Sequence, residues 1–221
     1  MDTVLISSCA SNELKKALTE NGCALVPIGP CEAVSEPISC HPDIFLCKLG
    51  TAPESPVFKG NADLLRPEYP SDVLYNAVVT EKFMICNTST VSPDLMQAAK
   101  DLYPDLKVIH VAQGYTKCNV VVVDNSHFIT EDEGIYKALC ASNGPECLLI
   151  SAGHVELPGF KRGFIGGASG RIGDEIWFNG DLSAHPDAEK IVNFICECGL
   201  TACWITDKPL VDIGSIIEET I

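Results

Sequence analysis

Four stretches of the chain hold side chains able to do polar chemistry. His154 ends the apolar run Leu148 to Ser151, just before a Pro158-Gly159 turn. Glu156 follows two positions on, on the same side of an extended chain. A carboxylate so placed could orient an imidazole for proton transfer; a loop histidine with a local hydrogen bond is the plainer reading. Asp43 opens the apolar stretch Asp43-Ile44-Phe45-Leu46-Cys47, with His41 beside it. A carboxylate at the mouth of a strand suits a cationic ligand such as a guanidinium, and Asp after Pro42 also suits a turn. Cys118 lies between Lys117 and Asn119 at the start of a strand. A neighbouring lysine lowers a thiol's pKa, but adjacent strand residues face opposite ways, which leaves Cys118 reading as core. Arg171 stands in the segment Gly163–Asp181, which holds six glycines. Glycine at that density admits a ligand close to the backbone or simply makes tight turns, and Arg171 could grip a carboxylate.

Composition bounds what these groups can serve. The chain has 221 residues, 30 Asp+Glu against 15 Lys+Arg, and a formal charge of −15. Such a surface repels phosphate backbones and anionic lipid, so neither nucleic acid nor membrane is expected as a partner. Apolar residues make up 46%, too many for a disordered chain. Runs such as Val120–Val123 fall far short of the roughly 20 residues of a membrane span. Asp2 stands where an export signal needs positive charge, and a cytoplasmic protein is expected. The length suits one domain over residues 1–221.

Twelve cysteines are unusual for such a chain, but none form a C-x-x-C pair. Cys196 and Cys198 would stand about 200° apart on a helix. The reading is therefore free, mostly buried thiols in a reducing compartment, with no metal and no cofactor.

The elements that would position these groups repeat. Helices are predicted over 11–20, 93–102, 131–141 and 186–198, each leading into a strand at 23–28, 107–111, 147–151 and 202–206. Ser11 and Ser92 are expected caps, Thr130 with Glu133 a capping box, and Gly22, Gly144 and Gly199 stops. Three helices follow a pair of short strands: 77–79 with 83–87, 119–124 with 127–130, and 163–168 with 175–178. The unit is strand, strand, helix, strand. Its spacing fits four or five units, one without its helix in the Pro-rich stretch 27–70. A last strand over 210–216 would complete the unit begun at 3–7, closing a ring without sheet edges.

That layout resembles the pentein, or guanidino-modifying enzyme, superfamily, and within it a bacterial branch like the small dimethylarginine dimethylaminohydrolases. His41-Pro42-Asp43-Ile44-Phe45-Leu46 resembles the P-D-x-x-F segment whose Asp contacts substrate. Lys117-Cys118-Asn119-Val120-Val121-Val122 resembles the G-G-D-V-L-F strand, with Asn119 in place of the usual Asp. Ala152-Gly153-His154-Val155-Glu156-Leu157 resembles the segment carrying the general acid/base histidine. Val211-Asp212-Ile213-Gly214-Ser215 resembles the closing strand, which in that superfamily bears the nucleophilic cysteine and here bears none.

The resemblance implies an α/β-propeller of ββαβ units in a closed ring, binding a small guanidino or amino-acid-like molecule at its axis. His41, Asp43, Asn119 and Arg171 would bind, and His154, Glu156 and Cys118 would act. Hydrolase or amidinotransferase chemistry at a C–N bond would be altered or lost, because thiolate attack on a guanidinium carbon needs the missing cysteine. The alternative is a ring without the chemistry, as in the superfamily's ribosome anti-association factor, with the acidic surface here serving a basic protein partner.

Overall fold

The computed structural model describes residues 2–219. The chain runs β1 (Thr3–Ser7), α1 (Asn12–Glu20), β2 (Ala24–Ile28), β3 (Leu46–Lys48), β4 (Val57–Lys59), β5 (Val78–Val79) and β6 (Phe83–Cys86). It continues through α2 (Pro93–Leu102), β7 (Lys107–His110), the single turn α3 (Thr116–Asn119), β8 (Val120–Val122), β9 (His127–Thr130), α4 (Glu133–Ala141) and β10 (Glu146–Leu149). It ends with β11 (Ser169–Ile172), β12 (Glu175–Phe178), α5 (Ala188–Glu197), β13 (Thr201–Trp204) and β14 (Ile217–Glu219).

Local chemistry sets the helix ends. The Ser11 hydroxyl accepts the Leu14 amide N–H at 3.1 Å, giving α1 its start. At α4 the cap is Asp132, which accepts the Ile135 N–H at 2.9 Å. Thr130 is not that cap; its hydroxyl donates to the Asn119 carbonyl instead. Gly22, Gly144 and Gly199 follow α1, α4 and α5 with φ of +89°, +119° and +78°, which only glycine adopts without strain. Each helix then buries one apolar stripe: Leu14 and Leu18, Leu95 and Ala99, Ile135 and Leu139, Ile191 and Ile195.

Four three-stranded sheets share one plan: β14-β1-β2, β5-β6-β7, β8-β9-β10 and β11-β12-β13. In each, the central strand pairs antiparallel on one side and parallel on the other. The helix lies in the connection to the parallel strand, as a parallel pairing requires. β3 and β4 form a fifth, two-stranded sheet with no helix of this kind.

The expected closed propeller is corrected here. The fold is mixed α/β with five separate sheets of two or three strands, and no ring or propeller is seen among the described residues. The strands facing neighbouring sheets are only two to four residues long. They meet through packing and isolated bridges such as Leu49 to Val79, not through continuous ladders.

Three local differences matter for the site. The segment after His41 is a 3-10 turn, Pro42–Ile44, and not the start of a strand. Cys118 sits in the helical turn α3 and not at the start of a strand. The closing strand shifts to Ile217–Glu219, and the preceding residues turn, with Gly214 at φ +71° and Ser215 at φ +75°. The thiols are all free; Cys23, Cys47, Cys86 and Cys118 are buried, while Cys9, Cys140 and Cys196 are exposed, so fewer are buried than expected. Among the described residues no helix is long and apolar enough to cross a membrane.

Candidate functional site

The turn Pro42–Ile44, α3 and the turn before β14 converge on a buried polar cluster. Asp43 is its hub. Its Oδ2 accepts the Ser215 hydroxyl at 2.7 Å and the Cys118 thiol at 3.2 Å. Lys117 Nζ donates to Ser215 Oγ at 3.0 Å and to the Gly166 carbonyl at 3.2 Å. Ser215 thus relays between the ammonium and the carboxylate. Asp43 Oδ1 is buried and has no hydrogen-bond partner.

Asn76 fixes α3 against this hub. Its Oδ1 accepts the backbone N–H groups of Lys117 (2.7 Å) and Cys118 (3.2 Å), and its Nδ2 donates to Cys118 Sγ at 3.1 Å. Amides at the start of a helical turn have no partner within it, and Asn76 supplies one.

A second carboxylate, Asp212, lies on the far side. Its Oδ2 accepts the Phe164 N–H and its Oδ1 the Gly214 N–H, both at 3.0 Å. His41 Nδ1 stands 3.7 Å from Asp212 Oδ1. Gly167 makes this approach possible: a methyl there would stand 2.0 Å from Asp212 Oδ1. Its N–H donates to the Cys118 carbonyl, and its own carbonyl accepts the Ile213 and Ser215 amides.

Burial sets the proton affinities. It lifts Asp212 to about 6, with His41 pulling down and Asp43 pushing up. It lifts the Cys118 thiol well above the usual thiol range, and the charges of Asp43 and Asp212 add to that. It lowers Lys117, against the upward pull of Asp43, Cys118 and Asp212.

Two cavities adjoin the cluster. One, of about 140 Å³, is lined by Cys118, His41 and Asp212, with walls of Ile38, Ile44, Leu157, Tyr115, Phe160 and Phe164, and with Arg162 beside them. The other, of about 60 Å³, draws its lining from all five sheets. Lys117, Lys48 and Arg171 reach it, with Glu218 bound to Lys48 at 2.8 Å. Neighbours in sequence, Lys117 and Cys118 therefore line different cavities.

Among the residues expected from sequence, Asp43, Cys118 and His41 come together. His154 does not join them; it is exposed, its ring 5.0 Å from that of His185. The exposed Glu156 contributes its backbone, accepting the Asp212 N–H at 2.9 Å. Asn119 is buried and structural, donating from Nδ2 to the Tyr115 carbonyl. Arg171 donates to the Gly173 and Val123 carbonyls at the smaller cavity. Asn76, Lys117 and Ser215 were not singled out as site residues. Their partners lie 42, 98 and 172 positions away, beyond any local pattern.

The fold and cluster define an α/β protein with a buried carboxylate–thiol–ammonium site beside an aromatic-walled cavity. Residues 51–217 match the DUF6873 family, described as a family of unknown function, and the chain belongs to it. The match spans Cys118, Asp212 and Ser215 and leaves His41 and Asp43 outside. No curated protein and no solved structure matches the chain.

Proposed function

We propose that this protein binds a small polar molecule through a cationic group, guanidino or amino-acid-like, in the cavity lined by Cys118, His41 and Asp212. The observation that carries this is the pair of buried carboxylates at the cavity: Asp212 lines it, and Asp43, with one unpartnered oxygen, lies one hydrogen bond behind Cys118. A buried carboxylate oxygen without a donor is costly. An N–H-bearing cation beside Asp212 would offset the negative charge that the two carboxylates share. The aromatic and aliphatic walls suit the apolar body of such a molecule.

Turnover at a C–N bond is altered or lost on this reading. Ser215 lies in the segment where the resemblance expects a nucleophilic cysteine, and its hydroxyl is held between Asp43 and Lys117. Cys118 faces the cavity, but its thiol stays protonated at neutral pH. His41 beside Asp212 takes the proton-handling place first assigned to His154 and Glu156.

Calorimetric titration of the full chain with arginine, methylguanidine and, as an anionic control, glutamate tests the reading. One molecule of a guanidino compound should bind, with affinity falling at least about tenfold in Asp43→Asn. Equal binding by wild type and Asp43→Asn, or none by any cation, overturns it. Ammonia, urea or amine release that vanishes in Cys118→Ser would show that catalysis survives.

A further inference from the structure

Away from this cluster, the β8–β9 turn and the end of α5 bring three different donor types together. Asp124 Oδ1 accepts the N–H groups of Ser126 (2.7 Å) and His127 (2.9 Å), which fixes the turn. Both Asp124 oxygens lie 2.8 Å from His127 Nδ1. Cys198 caps the C-terminus of α5. One donor atom from each of Asp124, His127 and Cys198 lies within 4.8 Å of the others. On the outer side, Glu146 Oε2 stands 3.7 Å from His127 Nε2. Phe194, from α5, packs edge-on against the His127 ring at 5.9 Å.

We propose that Asp124, His127 and Cys198 form a binding site for a zinc-like divalent cation. A thiolate with an imidazole selects borderline-soft metals over magnesium or calcium. Carboxylates complete such a set without demanding a fixed geometry. All three residues are half-buried, so an ion could enter without opening the core. The site also gathers negative potential. Asp124 and Glu146 flank His127, and the carbonyl end of α5, where Cys198 is the cap, adds the negative pole of its dipole. Among the described residues, His127 is the sole ion-pair partner of Asp124 and Glu146. Lys82, beside the turn, donates to Ser126 Oγ. A dication would balance this charge, with the Cys198 proton released to solvent on binding.

The test uses the reduced full chain and two probes, cobalt(II) and zinc(II) alone. Cobalt should give a thiolate-to-metal charge-transfer band at one equivalent, displaced by zinc. Cys198→Ser should abolish the band, and His127→Ala should weaken zinc at least about tenfold. Cys140→Ser and Cys196→Ser, exposed thiols elsewhere, should leave both unchanged. Circular dichroism confirms that the variants fold, and Asp124→Asn replaces any that does not. A band that survives Cys198→Ser, or zinc binding indifferent to His127→Ala, overturns the site and leaves a hydrogen-bonded turn.

Discussion

Replacing Lys117 by Met removes the ammonium that Ser215 connects to Asp43 while keeping most of the side-chain volume. Hydrogen bonds of 3.0 and 2.7 Å in series hold Nζ within about 6 Å of the Asp43 carboxylate. At an effective dielectric constant of about 20, that separation is worth about 3 kcal/mol. The cost of Lys117→Met at pH 7 should be of that size, since a buried carboxylate loses its counter-charge. Asp43→Asn alone should cost a similar amount, by leaving the ammonium uncompensated. The double variant should be much less damaging than the two costs added together, giving a coupling energy of about 2 to 3 kcal/mol. Urea unfolding followed by the fluorescence of Trp177 and Trp204 would measure all four corners of the cycle. Additivity within about 0.5 kcal/mol would falsify the relay and make Ser215 a bystander.

Two further outcomes follow from the same region. Gly167→Ala puts a methyl 2.0 Å from Asp212 Oδ1 on backbone pinned by Cys118 and Ser215. It should cost about 3 kcal/mol and lower Tm by roughly 6 to 12 °C in a thermal melt; an unchanged Tm contradicts the packing described. Glu131 is buried, and burial lifts its carboxyl to about 7 despite Arg162. Its folded-state pKa stands above its unfolded one, so its favourable contribution is full in acid and lost as pH rises through about 7. Stability should therefore fall between pH 5 and 8 by at most about 3 kcal/mol, and Glu131→Gln should remove that part of the fall. A wild-type slope retained in the variant assigns the effect to other groups.

The helices were readable because their signals are local. Ser11, Pro93, Gly22, Gly144 and Gly199 act within one turn of the boundary they set. So was the recurrence of strand, strand, helix, strand, since alternation and capping repeat at short range. Closure was not, because it depends on whether strands far apart in sequence form ladders, and here they form five separate sheets. The site divides in the same way. Asp43 stood out as a charge in an apolar run, whereas Ser215 and Lys117 matter through partners at the other end of the chain. Cys118 was read as core and is buried, but it sits in a helical turn held by Asn76 where a strand was expected. His154 carried the better local pattern and lies on an exposed loop.

The hydrogen bond between Asp43 and Ser215 joins residues 172 positions apart. During synthesis the first carboxylate of the cluster emerges long before its hydroxyl, and Lys117 and Cys118 emerge between them. Any ligand that needs the finished cluster can be held only after residue 215 has left the ribosome and docked. Under the proposed function, binding at this site would report that the chain has been completed to that point and folded, with no partly made chain competing for the same molecule.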